Sequence, residues 1–409
     1  MSHTYSIQFY CNAKKRVFKK RQAYYVVLTL VAIFYAFNAA QAQAVIEPKE
    51  AREVEERRLA TKADNIGQQN NRPIDIPVDL IAKQKTDKST NSLAGVYGSI
   101  SSVGSDTLAT LVSLWAQRFK SVYPHVKFQI QASGSATAPQ ALTQGTATIG
   151  PMSRALTTSE TNRFTQKYGY PPTTLIVAVD AIAIYVEKNN PIRALSLEQV
   201  DALFSATRFC GSKEKLSKWI DLGVTKFGES RNVLLYGRNS ASGTYDLFKQ
   251  QALCEGDFKT TVNELPGSSS VVLSIASSLG GMGYAALGHS DENVKALSIG
   301  VRVPLISPAL TFASNNTDVL ARPGDSEEPA DYRIEYIEPN TENITLDRYP
   351  FSRYLYIVVN KPPNKALPIL ERAFLRFILS EEGQNMVRDN GYYSVNQTIV
   401  DKQLALISK

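Results

Sequence analysis

In residues 236–253, YGRNSASGTYDLFKQQAL, a basic residue is followed by a run of small polar residues and then by an amphipathic helical pattern. That order suits the capture of an anion. Ser242, Gly243 and Thr244 fall where the helix begins, so their backbone N–H groups have no intrahelical partner and point outward with the positive end of the dipole. Arg238 lies four residues before Ser242 and adds a planar fork of donors that matches a tetrahedral oxyanion. Taken alone, a Ser/Gly loop capping an ordinary helix reads the same way.

Two further stretches repeat the pattern. Gly104, Ser105, Asp106 and Thr107 precede Leu108, Leu111, Val112, Trp115 and Phe119, whose spacing of three and four marks a buried helix face. Ser133, Gly134, Ser135 and Thr137 follow the alternating strand pattern Val126, Phe128, Ile130 and lead into a short helix. Three strand-to-helix turns of one kind predict a site at the carboxyl ends of parallel strands, where open α/β sheets bind ligands.

With these residues in place, the chain resembles the phosphate-binding proteins of bacterial ABC importers, in the periplasmic binding protein class. The resemblance runs over residues 98–395 and is carried by GSDTLATL, QASGSATAPQAL, IGPMSRAL, LSLEQVDALFSA, GRNSASGTYDLF, GGMGYAALG, YPFSRYLYIVVNK and FLRFILSEEGQNMVRDNGYYSV, in that order. It implies that phosphate is held by Thr107 and Leu108 in the first turn, Ser133 in the second, and Arg238, Ser242, Gly243 and Thr244 in the third, with Ser135 a further candidate. One position departs from the family. Ser153, followed by Arg154, stands where better-known members carry an Asp, so both enter the candidate set. Asp106, beside Thr107, is then either the replacement acceptor for a phosphate proton or the N-cap of the next helix.

The resemblance also implies an α/β, two-lobed clamp with mainly parallel sheets and two hinge crossings, an inner-membrane ABC permease as partner, and no cofactor. The residues agree on the architecture. Residues 175–186 and 354–360 are long apolar runs suited to buried strands crossing between lobes, which places residues 94–184 plus 353–409 in one lobe and 185–352 in the other. Residues 369–390 read as one final helix. At 409 residues the chain exceeds what one core supports.

The net charge of +7 carries no sign of nucleic-acid binding, because Lys14, Lys15, Arg16, Lys19, Lys20 and Arg21 account for all but one unit of it. That cluster precedes an apolar run and an Ala-x-Ala pattern ending at Ala42 or Ala44, the signature of a signal peptide over residues 1–44, with a retained anchor as the alternative. Residues 45–93 read as a polar linker. The expectation is therefore a periplasmic or secreted monomer. Cys210 and Cys254, an even pair in the proposed second lobe, predict a disulfide, with two buried thiols as the alternative.

Enzyme classes fare poorly. The chain has three histidines, His3, His125 and His289, no G-x-S-x-G around Ser242, and no clustered metal ligands, so it is read as a binder rather than an enzyme. Inorganic phosphate is the expected ligand; sulfate, molybdate, or a structural or adhesive role on the same fold are the alternatives.

Overall fold

Ile100 and the apolar face Leu111, Val112, Trp115 and Phe119 bury the first strand-to-helix step, β1 (Gly98–Val103) and α1 (Ala109–Val122). The step recurs in β2 (Val126–Gln131) with α2 (Thr137–Gln144) and in β3 (Ile149–Met152) with α3 (Thr158–Tyr168). The long apolar run is β4 (Thr173–Glu187). After it come β5 (Ala194–Ser196), α4 (Leu197–Phe204), β6 (Leu234–Arg238), α5 (Gly243–Ala252), β7 (Asn263–Leu265), α6 (Ser268–Ala276), β8 (Gly281–Ala286) and β9 (Val294–Ala296). Then follow β10 (Ser298–Pro304), β11 (Tyr332–Ile337), the single turn α7 (Thr341–Thr345), β12 (Ser352–Val359), α8 (Ile369–Leu379), α9 (Glu381–Asp389) and α10 (Gln397–Ser408). This computed structural model describes residues 96–228, 230–304 and 332–408, all within the unit Arg72–Lys409. The expected signal peptide and linker, residues 1–44 and 45–93, lie outside the described residues.

The main sheet has the strand order β2-β1-β3-β12-β4-β8-β6-β7, with β9 also paired to β4; β11-β10-β5 form a separate small sheet. Pairing is parallel among β1, β2 and β3 and among β6, β7 and β8. It is antiparallel wherever β4 or β12 meets a neighbour in that sheet. The sheet is thus mixed rather than mainly parallel: antiparallel β12 and β4 stand between the parallel groups β1–β2–β3 and β6–β7–β8.

β4 serves two cores. Leu175, Val177 and Ala178 pack with Trp115, Phe119, Leu355 and Phe374, whereas Ala181, Ile182, Ile184 and Val186 pack with Phe204, Phe248, Tyr284 and Phe351. Burial on both faces explains why β4 reads as a continuous apolar run instead of an alternating one.

Residues 369–390 form two helices, not one. Ser380 breaks the run with extended backbone (φ −71°, ψ 165°), and its hydroxyl accepts from Gly383 N at 3.2 Å as the N-cap of α9. A Cβ at Gly383 would lie 2.2 Å from the Phe377 carbonyl, so the glycine permits the tight corner. The predicted pair of cysteines is a disulfide, Cys210–Cys254, with the Cα atoms 5.2 Å apart.

Candidate functional site

The parallel strands deliver their turns to one place. Ser105 N donates to the Pro151 carbonyl at 2.8 Å, and a Cβ on Gly104 would lie 2.2 Å from that oxygen, so the glycine lets the ends of β1 and β3 close together. Gly134 N donates to Gly104 O at 2.8 Å, and Ala136 N donates to Ala241 O at 3.1 Å. Three turns far apart in sequence are thereby locked into one unit. Gly134 holds φ +107°, and a Cβ there would meet Ala241 O at 2.4 Å, so only glycine fits.

Within that unit the hydroxyls touch. Thr107 Oγ1 lies 3.3 Å from Thr244 Oγ1; Ser135 Oγ lies 3.1 Å from Ser153 Oγ and accepts from Ser153 N at 3.0 Å. Gly243 sits between the pairs: a Cβ on it would be 2.6 Å from Ser135 Oγ and 2.8 Å from Ser153 Oγ. Thr107, Ser135, Ser153, Ser242 and Thr244 are all fully buried. Ser242 caps α5 by accepting from Thr244 N at 3.1 Å. By contrast α1 and α2 begin without any side-chain cap, whereas α3 and α4, away from the cluster, carry complete capping boxes. Of the helix starts at the cluster, those of α1 and α2 therefore leave first-turn N–H groups for something other than their own side chains.

Two buried guanidiniums are bonded into the turns, one through Asp106 and one through Thr244. Arg238 is 0% exposed and donates from Nη2 to Asp106 Oδ1 and Pro266 O, both at 2.6 Å, from Nη1 to Ser268 Oγ at 2.9 Å, and from Nε to Leu265 O at 3.3 Å. The second is Arg353, which the sequence reading overlooked. It pairs with fully buried Asp180 (2.7 and 3.0 Å) and donates from Nη1 to Thr244 Oγ1 at 3.0 Å and to Ser153 O at 3.2 Å. Burial pushes the Asp180 carboxyl up, against the pull of the Arg353 guanidinium. Arg353 was legible only as the single charge in SRYLYIVV, an apolar strand where an unpaired charge would be costly.

The remaining sequence candidates fall elsewhere or into other roles. Ser133 is exposed and accepts from Gln131 Nε2 at 3.2 Å; Ser135 occupies the cluster instead. Leu108 is the N-cap residue of α1 with its side chain in the core, which leaves only its backbone facing the turn. Asp106 does not cap α1. Its two oxygens accept from Arg238 Nη2 and, at 3.3 Å, from Ser268 N at the start of α6. Arg154 points away from the hydroxyls: Nη1 and Nη2 grip Glu160 at 2.8 Å each, and Nε meets Asp246 at 2.5 Å. Burial raises the Glu160 carboxyl, but its hydrogen bonds with Arg154 and the Thr157 backbone hold it below the ordinary carboxylate range. Arg154, Asp246 and Arg353 also line a cavity of about 1030 Å³ beside the cluster. Among the described residues no group of His, Cys, Asp or Glu is placed to hold a metal ion.

Hydroxyls, helix starts and guanidiniums that converge in this way can hold an oxyanion. A buried cluster of hydroxyls and helix starts at the strand ends of a sheet shared between two cores lies where solute-binding proteins of open α/β fold bind their ligands. Residues 89–382 match the family model of a PBP superfamily domain, and the chain belongs to that superfamily. It is 47% identical over 311 residues to the phosphate-binding protein PstS of Pseudomonas aeruginosa, covering 76% of this chain and 87% of the relative. The PstS of Bacillus subtilis is 23% identical, over 78% of this chain and 89% of its own. Among solved structures, a phosphate ABC transporter substrate-binding protein of Clostridium perfringens with bound phosphate superposes with a TM-score of 0.56 at 24% identity, over 73% of this chain and all of that one.

Proposed function

We propose that this protein captures inorganic phosphate between two lobes and delivers it to an ABC permease of the inner membrane. The observation that carries the reading is the pair of buried hydroxyl contacts, Thr107–Thr244 and Ser135–Ser153, with the Arg353 guanidinium donating into Thr244. The 47% identity to a phosphate-binding PstS supports the ligand and the transport role.

In this reading the lobes are residues 94–184 plus 353–409 and residues 185–352, the two cores their interiors, and β4 with β12 the hinge. The ligand set is Thr107, the Leu108 backbone, Ser135, Ser153, Arg238, Ser242, Gly243 and Thr244. Closure adds contacts that the open form lacks, so the ligand shifts the population toward the closed state. The chain acts as a monomer, without enzymatic activity, in the periplasm or outside the cell after loss of its leader. Among the described residues no helix is long and apolar enough to cross a membrane.

A second reading, capture of sulfate or molybdate, is favoured by one observation. Hydrogen phosphate donates its proton to an acceptor, yet a serine, Ser153, stands at the position of the family acid. In the phosphate reading the Ser135 and Ser153 hydroxyls take that proton, since a hydroxyl can accept as well as donate. Calorimetric titration with phosphate, sulfate and molybdate decides between them. Phosphate binding with at least tenfold preference supports the first reading; equal or tighter binding of sulfate overturns it.

A further inference from the structure

Arg353 sits on β12 with its side chain 3% exposed, pinned by Nε and Nη2 to Asp180 on β4, and its remaining fork reaches the seat. Nη1 donates to Thr244 Oγ1 at 3.0 Å and to Ser153 O at 3.2 Å. A guanidinium carries only donors. At Thr244, therefore, the hydroxyl oxygen is the acceptor and its own hydrogen has to leave in another direction. Thr107 Oγ1, 3.3 Å away, is the neighbour that shares a hydrogen with it. The pair owns two hydroxyl hydrogens, and the bond between them uses one. Whichever way that bond runs, the other hydrogen is left over, and an anion in the seat is the group that takes it.

We propose that Arg353 is a positioning residue for anion capture: by donating into Thr244 it leaves the Thr107–Thr244 pair one hydroxyl hydrogen to donate to the ligand. The Asp180 pair fixes Arg353 in turn, which ties the donor array to the two long strands running between the cores. This rests on the reading of the cluster as an oxyanion seat. Without Arg353, Thr244 is free to turn its hydrogen elsewhere and present lone pairs to the anion. A charge acting at a distance would instead strengthen binding independently of Thr244.

The two roles separate in a double-mutant cycle on phosphate affinity, measured by calorimetry with thermal midpoints recorded in parallel. Arg353→Gln alone strands a buried Asp180 and could unfold the protein, so the charges are removed together as Asp180→Asn/Arg353→Gln. That replacement is expected to weaken phosphate binding about tenfold or more, and Thr244→Val by a similar factor, the loss of one charge-assisted or well-oriented hydrogen bond. Combined, they are expected to cost no more than about twice the larger single effect. Losses that multiply would overturn the proposal, as would an Arg353→Lys variant of unchanged affinity, which keeps the charge but not the fork. If the wild-type protein bound no phosphate, the reading of the seat itself would fail; binding with multiplied losses sinks only the role of Arg353.

Discussion

Truncating Arg238 to alanine removes the most deeply buried cation of the seat and leaves the Asp106 carboxylate without its ion-pair partner. Charged hydrogen bonds contribute about 1.5–3 kcal/mol each, so phosphate affinity should fall by roughly two orders of magnitude or more. Titration of a variant shown to be folded checks this, and a few-fold loss would place the site elsewhere. The two serines of the second turn give a sharper contrast. Ser135→Ala should weaken binding by about tenfold, whereas Ser133→Ala should stay within a few-fold of wild type, because only Ser135 is buried against Ser153. Reversal of that order would restore the assignment carried over by resemblance. Sequence alone had little with which to choose between them: both flank Gly134, and it is the φ of +107° at that glycine that sends the chain onward with Ser135 inward. Ser242, Gly243 and Thr244 were easier to read, because a cap, a glycine and a helix start leave few alternatives.

At the scale of elements, the disulfide and the last helices make their own tests. Cys210–Cys254 joins the loop after α4 to the end of α5, the helix whose start bears Ser242–Thr244. A closure spanning 44 residues restricts the unfolded chain by about 4 kcal/mol in the entropy model. Reduction, or Cys210→Ser/Cys254→Ser, should lower the thermal midpoint by several degrees; an unchanged midpoint would mean that native strain cancels the gain. In the first turn of α8, burial raises the Glu371 carboxyl to about 7. The folded form then holds a proton that the unfolded form releases near 4.5, so stability declines as pH rises from about 4.5 to about 7 and stays lower above that. Glu371→Gln should therefore be more stable than wild type at pH 8 and equal to it near pH 4, as denaturant midpoints would show; a gap that does not change with pH would contradict the shift. The break between α8 and α9 was hidden by good helix formers on both sides, though Ser380 followed by two glutamates is an N-cap with acids in the first turn. The terminal helix α10 was not foreseen either: its contribution is long-range, Gln403 Oε1 accepting from Ile176 N at 3.1 Å and so covering β4.

For the molecule as a whole, the proposed motion turns on how the closed form is held, and Arg154 and Asp246 offer a measurable handle. They are 92 residues apart, one following Ser153 and the other two residues after Thr244, yet Nε and Oδ2 are 2.5 Å apart with side chains 10% and 38% exposed. Glu160 grips Arg154 from six residues away and would travel with it on opening, whereas Asp246 belongs to the opposite core. The Arg154–Asp246 contact is then one that only the closed form makes, and it touches no hydroxyl of the seat. A partly exposed ion pair is worth up to about 1 kcal/mol, so Asp246→Asn should raise the phosphate dissociation rate about threefold to fivefold while changing the association rate by less than about twofold. Arg154→Gln should give a similar factor, which guards against reading the loss of an acidic residue in the first turn of α5 as a clasp. Salt should shrink the difference in both variants, since partly exposed charges are screened. Stopped-flow displacement measures the rates directly. If Arg154 instead bound the anion, releasing it from Asp246 would slow dissociation, and Arg154→Gln would match Arg238→Ala in severity; either result would replace the clasp with a third cation in the seat.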